Sequence, residues 1–138
     1  MEIKQISVFF ENKPGRIAEV IKVLADEDIN LRAISIADTA DFGILRLIVN
    51  DHEKAAEALN NAGFTSRITN VAAVEIEDKP GNLAKVMDIF KTANVNIEYL
   101  YASLEGKQGK AAVIFKLEDH EKGLRLIKEN NLSVVNSF

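Results

Sequence analysis

Cysteine is missing from all 138 residues. With it go disulfides, thiolate catalysis and cysteine-held zinc or iron–sulfur sites. Histidine is nearly missing too, with only His52 and His120 present. Each follows an aspartate in the string Asp-His-Glu-Lys. That string reads as a capped helix start with acids near the positive end of the helix dipole. Its spacing matches no zinc pattern, so no metal site is expected. There is no basic excess: 17 Lys and Arg face 21 Asp and Glu, for a formal charge of −4 and a pI of about 5.2. An acidic chain without a basic stripe argues against nucleic acid and against an anionic membrane surface as partners. No apolar run approaches a membrane span, and Met1-Glu2-Ile3-Lys4-Gln5 has no signal-peptide pattern. Glycine-rich phosphate loops are absent as well, so no nucleotide cofactor is expected. A cytoplasmic location fits these absences.

Proline is almost as scarce, and its two occurrences open the internal pattern. Glu11-Asn12-Lys13-Pro14-Gly15 returns 66 residues later as Glu77-Asp78-Lys79-Pro80-Gly81. Ile17, Val20, Ile21 and Leu24 align with Leu83, Val86, Met87 and Phe90, and Asn30-Leu31 with Asn96-Ile97. Asp51-His52-Glu53-Lys54 returns 68 residues later from Asp119, so two residues are inserted between. A duplicated unit implies two similar halves, here 1–70 and 71–138. Units that small are marginal alone, so a shared sheet or interface is expected.

The first half reads strand, helix, strand, strand, helix, strand. Ile3 to Phe10 alternates as a strand, with Ser7 and Phe9 opposite Ile6, Val8 and Phe10. The stripe of Ile17, Val20, Ile21 and Leu24 predicts a helix over 16–27. Strands follow at 30–37 and 44–49, joined by turn chemistry at 38–43. Asp51 is the expected N-cap of a second helix and Gly63 its C′ residue. A fourth strand covers 64–69. The second half repeats this with strands at 71–76, 96–104, 110–117 and 132–135 and helices at 82–92 and 120–129, with a turn at 106–109. Between Phe64 and Ile76 only Asn70 is a strong turn former, so the fourth strand is expected to run almost straight into the fifth. The fold class is therefore α+β: two βαββαβ ferredoxin-like units, antiparallel sheets with helices on one face, sharing a continuous sheet. Several strands are apolar on both faces, such as Ile44 to Val49 and Ala111 to Phe115. Their second face calls for cover by a partner unit or a second chain, which is the ground for expecting a homodimer.

The two Pro-Gly loops are the candidate sites. Pro14 and Pro80 fix the backbone just before a helix. Gly15 and Gly81 admit a ligand without a Cβ in the way. The helix start then offers unpaired N–H groups to a carboxylate, with about 0.3–1 kcal/mol from the dipole. Asn12 and Asp78 flank the loops, and Asn30 and Asn96 open the next strand. A carboxamide both donates and accepts, so it suits either pole of a zwitterion. Loop and strand start are read as lying at the same end of the sheet, which would bring the two asparagines together. The plainer reading is a helix start and a closed turn; two parallel copies favour a site. Tyr99 and Tyr101 share one strand face and either shape a pocket or pack against another face.

These residues carry a resemblance. Glu11 to Ile17 followed by Leu24 to Leu31, and Glu77 to Leu83 followed by Ala93 to Ile97, resemble the ACT domain, an amino-acid-binding regulatory module. The resemblance covers essentially the whole chain as a stand-alone tandem pair, and its nearest flavour is the regulatory end of serine-inhibited phosphoglycerate dehydrogenase. It implies a non-catalytic amino-acid sensor, with the effector held at the loop across a unit or subunit interface. It implies side-chain roles for Asn12 and Asn30, with Asp78 and Asn96 in the second copy. Backbone roles are implied for Gly15, Arg16 and Ile17, and for Gly81, Asn82 and Leu83. Asp78 departs from the pattern: its charge repels a carboxylate but suits an ammonium. Arg16 is unfavourable for the dipole at a helix start, so it serves a carboxylate, a partner chain or simply solvent.

Other classes fit less well. A small regulatory subunit of a biosynthetic enzyme such as acetolactate synthase shares the frame and would bring an enzyme partner. An acylphosphatase needs an arginine loop after the first strand, which Asn12 to Gly15 does not resemble. An RNA-binding module needs aromatics on central strands and a basic face. Ile44 to Val49 has no aromatic.

Overall fold

The computed structural model describes residues 2–38, 41–103, 107–136 and 138. The chain divides into two compact units, Lys4–Thr69 with Phe138 and Asn70–Ser137 with Met1–Ile3. The first contains β1 (Glu2–Glu11), α1 (Arg16–Asp26), β2 (Leu31–Asp38), β3 (Phe42–Val49) and α2 (His52–Asn61). Next comes β4 (Thr65–Glu77), followed by α3 (Asn82–Thr92), β5 (Ile97–Ala102), β6 (Lys110–Leu117), α4 (His120–Glu129) and β7 (Ser133–Val134). The strands run in the hydrogen-bonded order β2-β3-β1-β4-β6-β5, with β7 also on β4.

β4 explains why two readings of the sequence merge into one element. The expected strands at 64–69 and 71–76 are a single 13-residue strand through Asn70. Without Gly or Pro, nothing forces the chain to turn there. Elsewhere the differences are at the margins. The last strand is only Ser133–Val134, pairing with Val74 and Glu75. β3 begins at Phe42, earlier than expected. Residues 39–40 and 104–106, within or next to the expected turns at 38–43 and 106–109, lie outside the described residues.

In the first unit, Ile6, Val8 and Phe10 of β1 meet Val20 and Leu24 of α1, Leu45 and Leu47 of β3, and Ala55 and Leu59 of α2. The helical stripe and the strand alternation bury the same set, each side chain contributing on the order of 1.5–3 kcal/mol. In the second unit, Val74, Val86, Phe90, Val113, Phe115, Leu117 and Ile127 form the corresponding core. Phe90 and Phe115 stand 5.4 Å apart and tilted by 57°, a favourable aromatic arrangement.

The opposite strand faces are buried as well. Gln5, Ser7, Ala33 and Ile48 are buried in the first unit, and Val71, Ala73, Ala112, Ile114 and Tyr101 in the second. Gln5 Nε2 donates to Ser7 Oγ at 3.1 Å, which satisfies two polar groups away from water. This cover exists within the single chain. The two-sided apolar strands therefore give no reason by themselves for a second chain. Tyr101 serves packing, with the Tyr99 ring stacked beside it at 6.5 Å.

Asp51 and Asp119 cap α2 and α4 as their sequences suggest. The side chain of each accepts from the backbone N–H three residues on, at Lys54 and Lys122, at 3.1 Å in both. Gly63 follows the end of α2 with φ 87°, the left-handed value of a C′ residue.

Candidate functional site

The two Pro-Gly loops have the same glycine dihedrals and matching backbone hydrogen bonds. Gly15 and Gly81 both adopt φ 88°, ψ −14°. Lys13 N–H donates to Glu11 O at 2.8 Å, and Lys79 N–H to Glu77 O at 2.9 Å. Arg16 N–H reaches Lys13 O and Asn82 N–H reaches Lys79 O, both at 3.3 Å. Asn12 N–H ties the loop to Asp41 O at 3.0 Å, as Asp78 N–H does to Gly109 O at 2.9 Å. A positive φ is the left-handed region, so glycine is required here by backbone conformation. A Cβ on either glycine would meet nothing within 4 Å, so the space in front of each loop is open. Neither α1 nor α3 has a side-chain cap. Beyond the Arg16 and Asn82 N–H groups, which the loop carbonyls occupy, the first-turn N–H groups of both helices have no side-chain cap, in contrast to the capped α2 and α4.

Around this shared backbone the side chains that follow the glycines differ. Arg16 Nη1 donates to Glu19 Oε2 at 3.0 Å, a pair on its own helix. That pair supplies the negative partner its place at a helix start demands. Asn82, its counterpart, donates from Nδ2 to Glu77 O at 3.0 Å and ties its loop to the end of β4. Ile17 packs against the first core, whereas Leu83 is exposed. Neither side chain carries a hydrogen-bonding group, so polar contacts from these positions come from the backbone. Glu11 bonds to Lys13 at 2.7 Å. That hydrogen bond, the Lys13 charge and the Arg16 charge hold its carboxyl below the usual range.

Asn30 and Asn96 are not beside the loops. Glu11 pairs with Phe42 at one end of β3 and Leu31 pairs with Val49 at the other. Seven residues of strand separate the two levels, roughly 23 Å. The second unit repeats the separation: Glu77 pairs with Lys110, and Ile97 with Leu117. The reading that loop and strand start share one end is overturned. α1 runs back along the sheet, so the next strand must start at the far end. There Asn30 N–H donates to Asn50 Oδ1 at 3.2 Å, and Asn50 N–H returns to Asn30 O at 3.3 Å. Asn96 O accepts from Glu118 N–H at 3.0 Å, and the residue lines a hollow of about 370 Å³ with Met87, Phe90, Lys91 and Ile97. Each unit therefore brings together its loop residues Asn12, Gly15, Arg16 and Ile17, or Asp78, Gly81, Asn82 and Leu83. It leaves Asn30 or Asn96 apart.

A feature missed from sequence lies at the loop end of the first unit. A hollow of about 320 Å³ is lined by Phe9, Phe10, Phe42 and Phe64 together with Glu11 and Arg16. The signal was present in the repeat: these phenylalanines answer to Glu75, Ile76, Lys110 and Leu132. Among the described residues no group of three or more His, Cys, Asp or Glu is placed to hold a metal ion. No helix of the described residues is long and apolar enough to cross a membrane.

Paired βαββαβ units, each opening its first helix uncapped at a Pro-Gly turn, define a tandem ferredoxin-like module. The chain belongs to the ACT domain pair family, which matches residues 1–137. Membership supports a regulatory ligand-binding role. The chain is similar to protein BT0572 from Bacteroides thetaiotaomicron, at 41% identity and a TM-score of 0.92, over 98% of this chain and 92% of that one. It also shares its fold with the regulatory subunit of aspartate kinase from Thermus thermophilus in its ligand-free form. There the identity is 22% and the TM-score 0.65, over 91% of each chain. The regulatory subunit of aspartate kinase from Thermus flavus is similar at 22% identity and a TM-score of 0.62, over 91% of this chain and 90% of that one. No curated protein matches in sequence.

Proposed function

We propose that the chain is a non-catalytic amino-acid sensor of two binding units, 1–70 and 71–138, and that its effector is gripped at the Pro-Gly loop between two copies of the chain. The observation that carries this reading is the pair of matching uncapped helix starts behind open glycines. An effector carboxylate would accept from first-turn N–H groups, in charge-assisted bonds. The far placement of Asn30 bears on the second half of the proposal. Asn12 and Asn30 of one unit are too distant to hold one small molecule. A two-fold neighbour across an exposed edge reverses the ends of the sheet and sets the loop of one copy beside the strand start of the other. β2 is such an edge in the strand order, and Ile36 on it is half exposed. Asp78 makes the second unit the weaker carboxylate site and the better ammonium site.

Calorimetry against the twenty amino acids, with sedimentation of the same samples, tests both halves. Binding of at least one amino acid, with a dimer in solution, is the expected result. Asn12→Ala and Asn30→Ala should each weaken it by about 1.5–3 kcal/mol, the worth of a hydrogen bond to a charged group. No heat with any amino acid would sink the sensor reading. Unchanged affinity in both variants would refute the placement alone.

A further inference from the structure

The helices of the two units bury alike and differ outside. α1 and α2 pack on the first core through Val20, Leu24, Ala55 and Leu59. α3 and α4 pack on the second through Val86, Phe90 and Ile127. On the outer faces the repeat reverses sign. Glu19 answers to Lys85, Lys22 to Asp88 and Glu57 to Arg125, all of them exposed. Ala25 and Asn60 answer to Lys91 and Lys128, while Asp26 and Glu27 answer to Thr92 and Ala93. Glu53 and Lys54 keep the signs of Glu121 and Lys122. The cations of the first layer are engaged at home. Arg16 pairs with Glu19 at 3.0 Å, Lys22 pairs with Asp26 at 2.9 Å, and Lys54 Nζ donates to Glu27 O at 2.7 Å. Its outer face is therefore acidic. The second layer turns Lys85, Lys91, Arg125 and Lys128 to water, and its outer face is basic.

The relief of the two layers differs in the same complementary way. Between α3 and α4 lies a hollow of about 590 Å³, with Ile89, Ala93 and Leu126 among its walls and Lys85 and Asp88 beside them. The first layer is smoother. Leu124 and Leu126 of α4 answer to Ala56 and Ala58 of α2, and Ala18 and Ala25 are exposed on α1. Short side chains let a second pair of helices come close, to about 8 Å between axes.

We propose that the α1–α2 layer of one copy of this chain docks on the α3–α4 layer of a second copy, acidic face against basic face. The contact lies on the helices and is distinct from the β2 edge. It joins unlike surfaces, so copies related by a two-fold axis make it twice, and copies not so related add in an open chain. Each layer is two helices about 16 Å long. A face that small is below the standard interface size, so the contact is steered and held by charge and fades as salt screens it.

Analytical ultracentrifugation of the full chain in about 0.05 M and about 0.5 M salt tests it. The weight-average mass should rise with protein concentration in low salt and fall in high salt. Glu19→Lys with Glu57→Arg makes the first layer basic, and Lys85→Glu with Arg125→Glu makes the second acidic. Each pair of substitutions should weaken association by at least about tenfold in low salt, because like charges then face each other. A chain carrying all four has the parent's net charge and should recover the parent's association. Circular dichroism verifies that each variant is folded. Parent-like association of either folded pair variant overturns the proposal, as does a folded fourfold variant that stays as weak as the pairs. A parent mass that does not change with salt overturns it as well and leaves any assembly to the β2 edge. Amino-acid titration of the loops does not enter these readouts, so the sensor reading stands or falls separately.

Discussion

The two loops share their backbone conformation and the residues Glu, Lys, Pro and Gly, and differ at Asn12 against Asp78 and Arg16 against Asn82. Gly15 and Gly81 have identical dihedrals, yet Arg16 pairs along its helix and Asn82 ties down a strand end. The first unit keeps a phenylalanine-walled hollow where the second has the Glu75–Lys110 pair. Duplication conserved what the fold needs, the left-handed glycine and the uncapped helix start. It let the residues at 12 and 78 and at 16 and 82 diverge. The difference therefore separates what the shared backbone requires from what it leaves free, within one chain.

Substitutions at matched positions sharpen that separation. The largest effect should come from the cores. Phe90→Ala removes one ring of the Phe90–Phe115 pair and should cost about 3–5 kcal/mol, against about 2–5 for Leu24→Ala at the matching position. Urea denaturation measures both. Because β4 runs through residues of both units, each variant should unfold in one transition; two separated transitions would show the units to be independent. Next come the loop glycines. Gly15→Val and Gly81→Val force a β-branched residue to positive φ and should each cost about 1–3 kcal/mol. Unequal costs would break the claim that the two backbones are equivalent. Asp51→Ala and Asp119→Ala remove matched N-caps and should each cost about 1 kcal/mol, again equally. The smallest effect probes specificity. Asp78→Asn gives the second loop the first loop's residue and should tighten carboxylate binding there by up to about 1 kcal/mol, the scale of two charges at contact in water. Calorimetric stoichiometry reads it: the second site should gain occupancy while the first stays unchanged.

The periodicities made most of the fold legible. The stripe from Ile17 to Leu24, the alternation from Ile6 to Phe10 and the capping aspartates are short-range signals, and each sits within one or two residues of its observed element. The loop glycines were legible for the same reason, since a turn's conformation is set by its own residues. The asparagines were not. Asn30 is only 18 residues from Asn12, but the path between them is a helix laid back along the sheet, and strand register alone reveals that it ends on the far side. The phenylalanine hollow was also hidden. Phe9, Phe42 and Phe64 come from three strands or their edges, and their meeting depends on pairing across β1 and β3.

From sequence alone came the duplication, the element types, the caps and the two Pro-Gly helix starts, because these follow from local sterics and hydrogen bonding over a few residues. Tertiary structure decided that β4 is one strand, that the second sheet faces are buried within a single chain, that Asn12 and Asn30 stand a sheet's length apart, and that one unit alone keeps an aromatic hollow. Those outcomes depend on which distant segments pair and in what register, and such pairing is chosen by the burial of the whole chain rather than by any stretch of it.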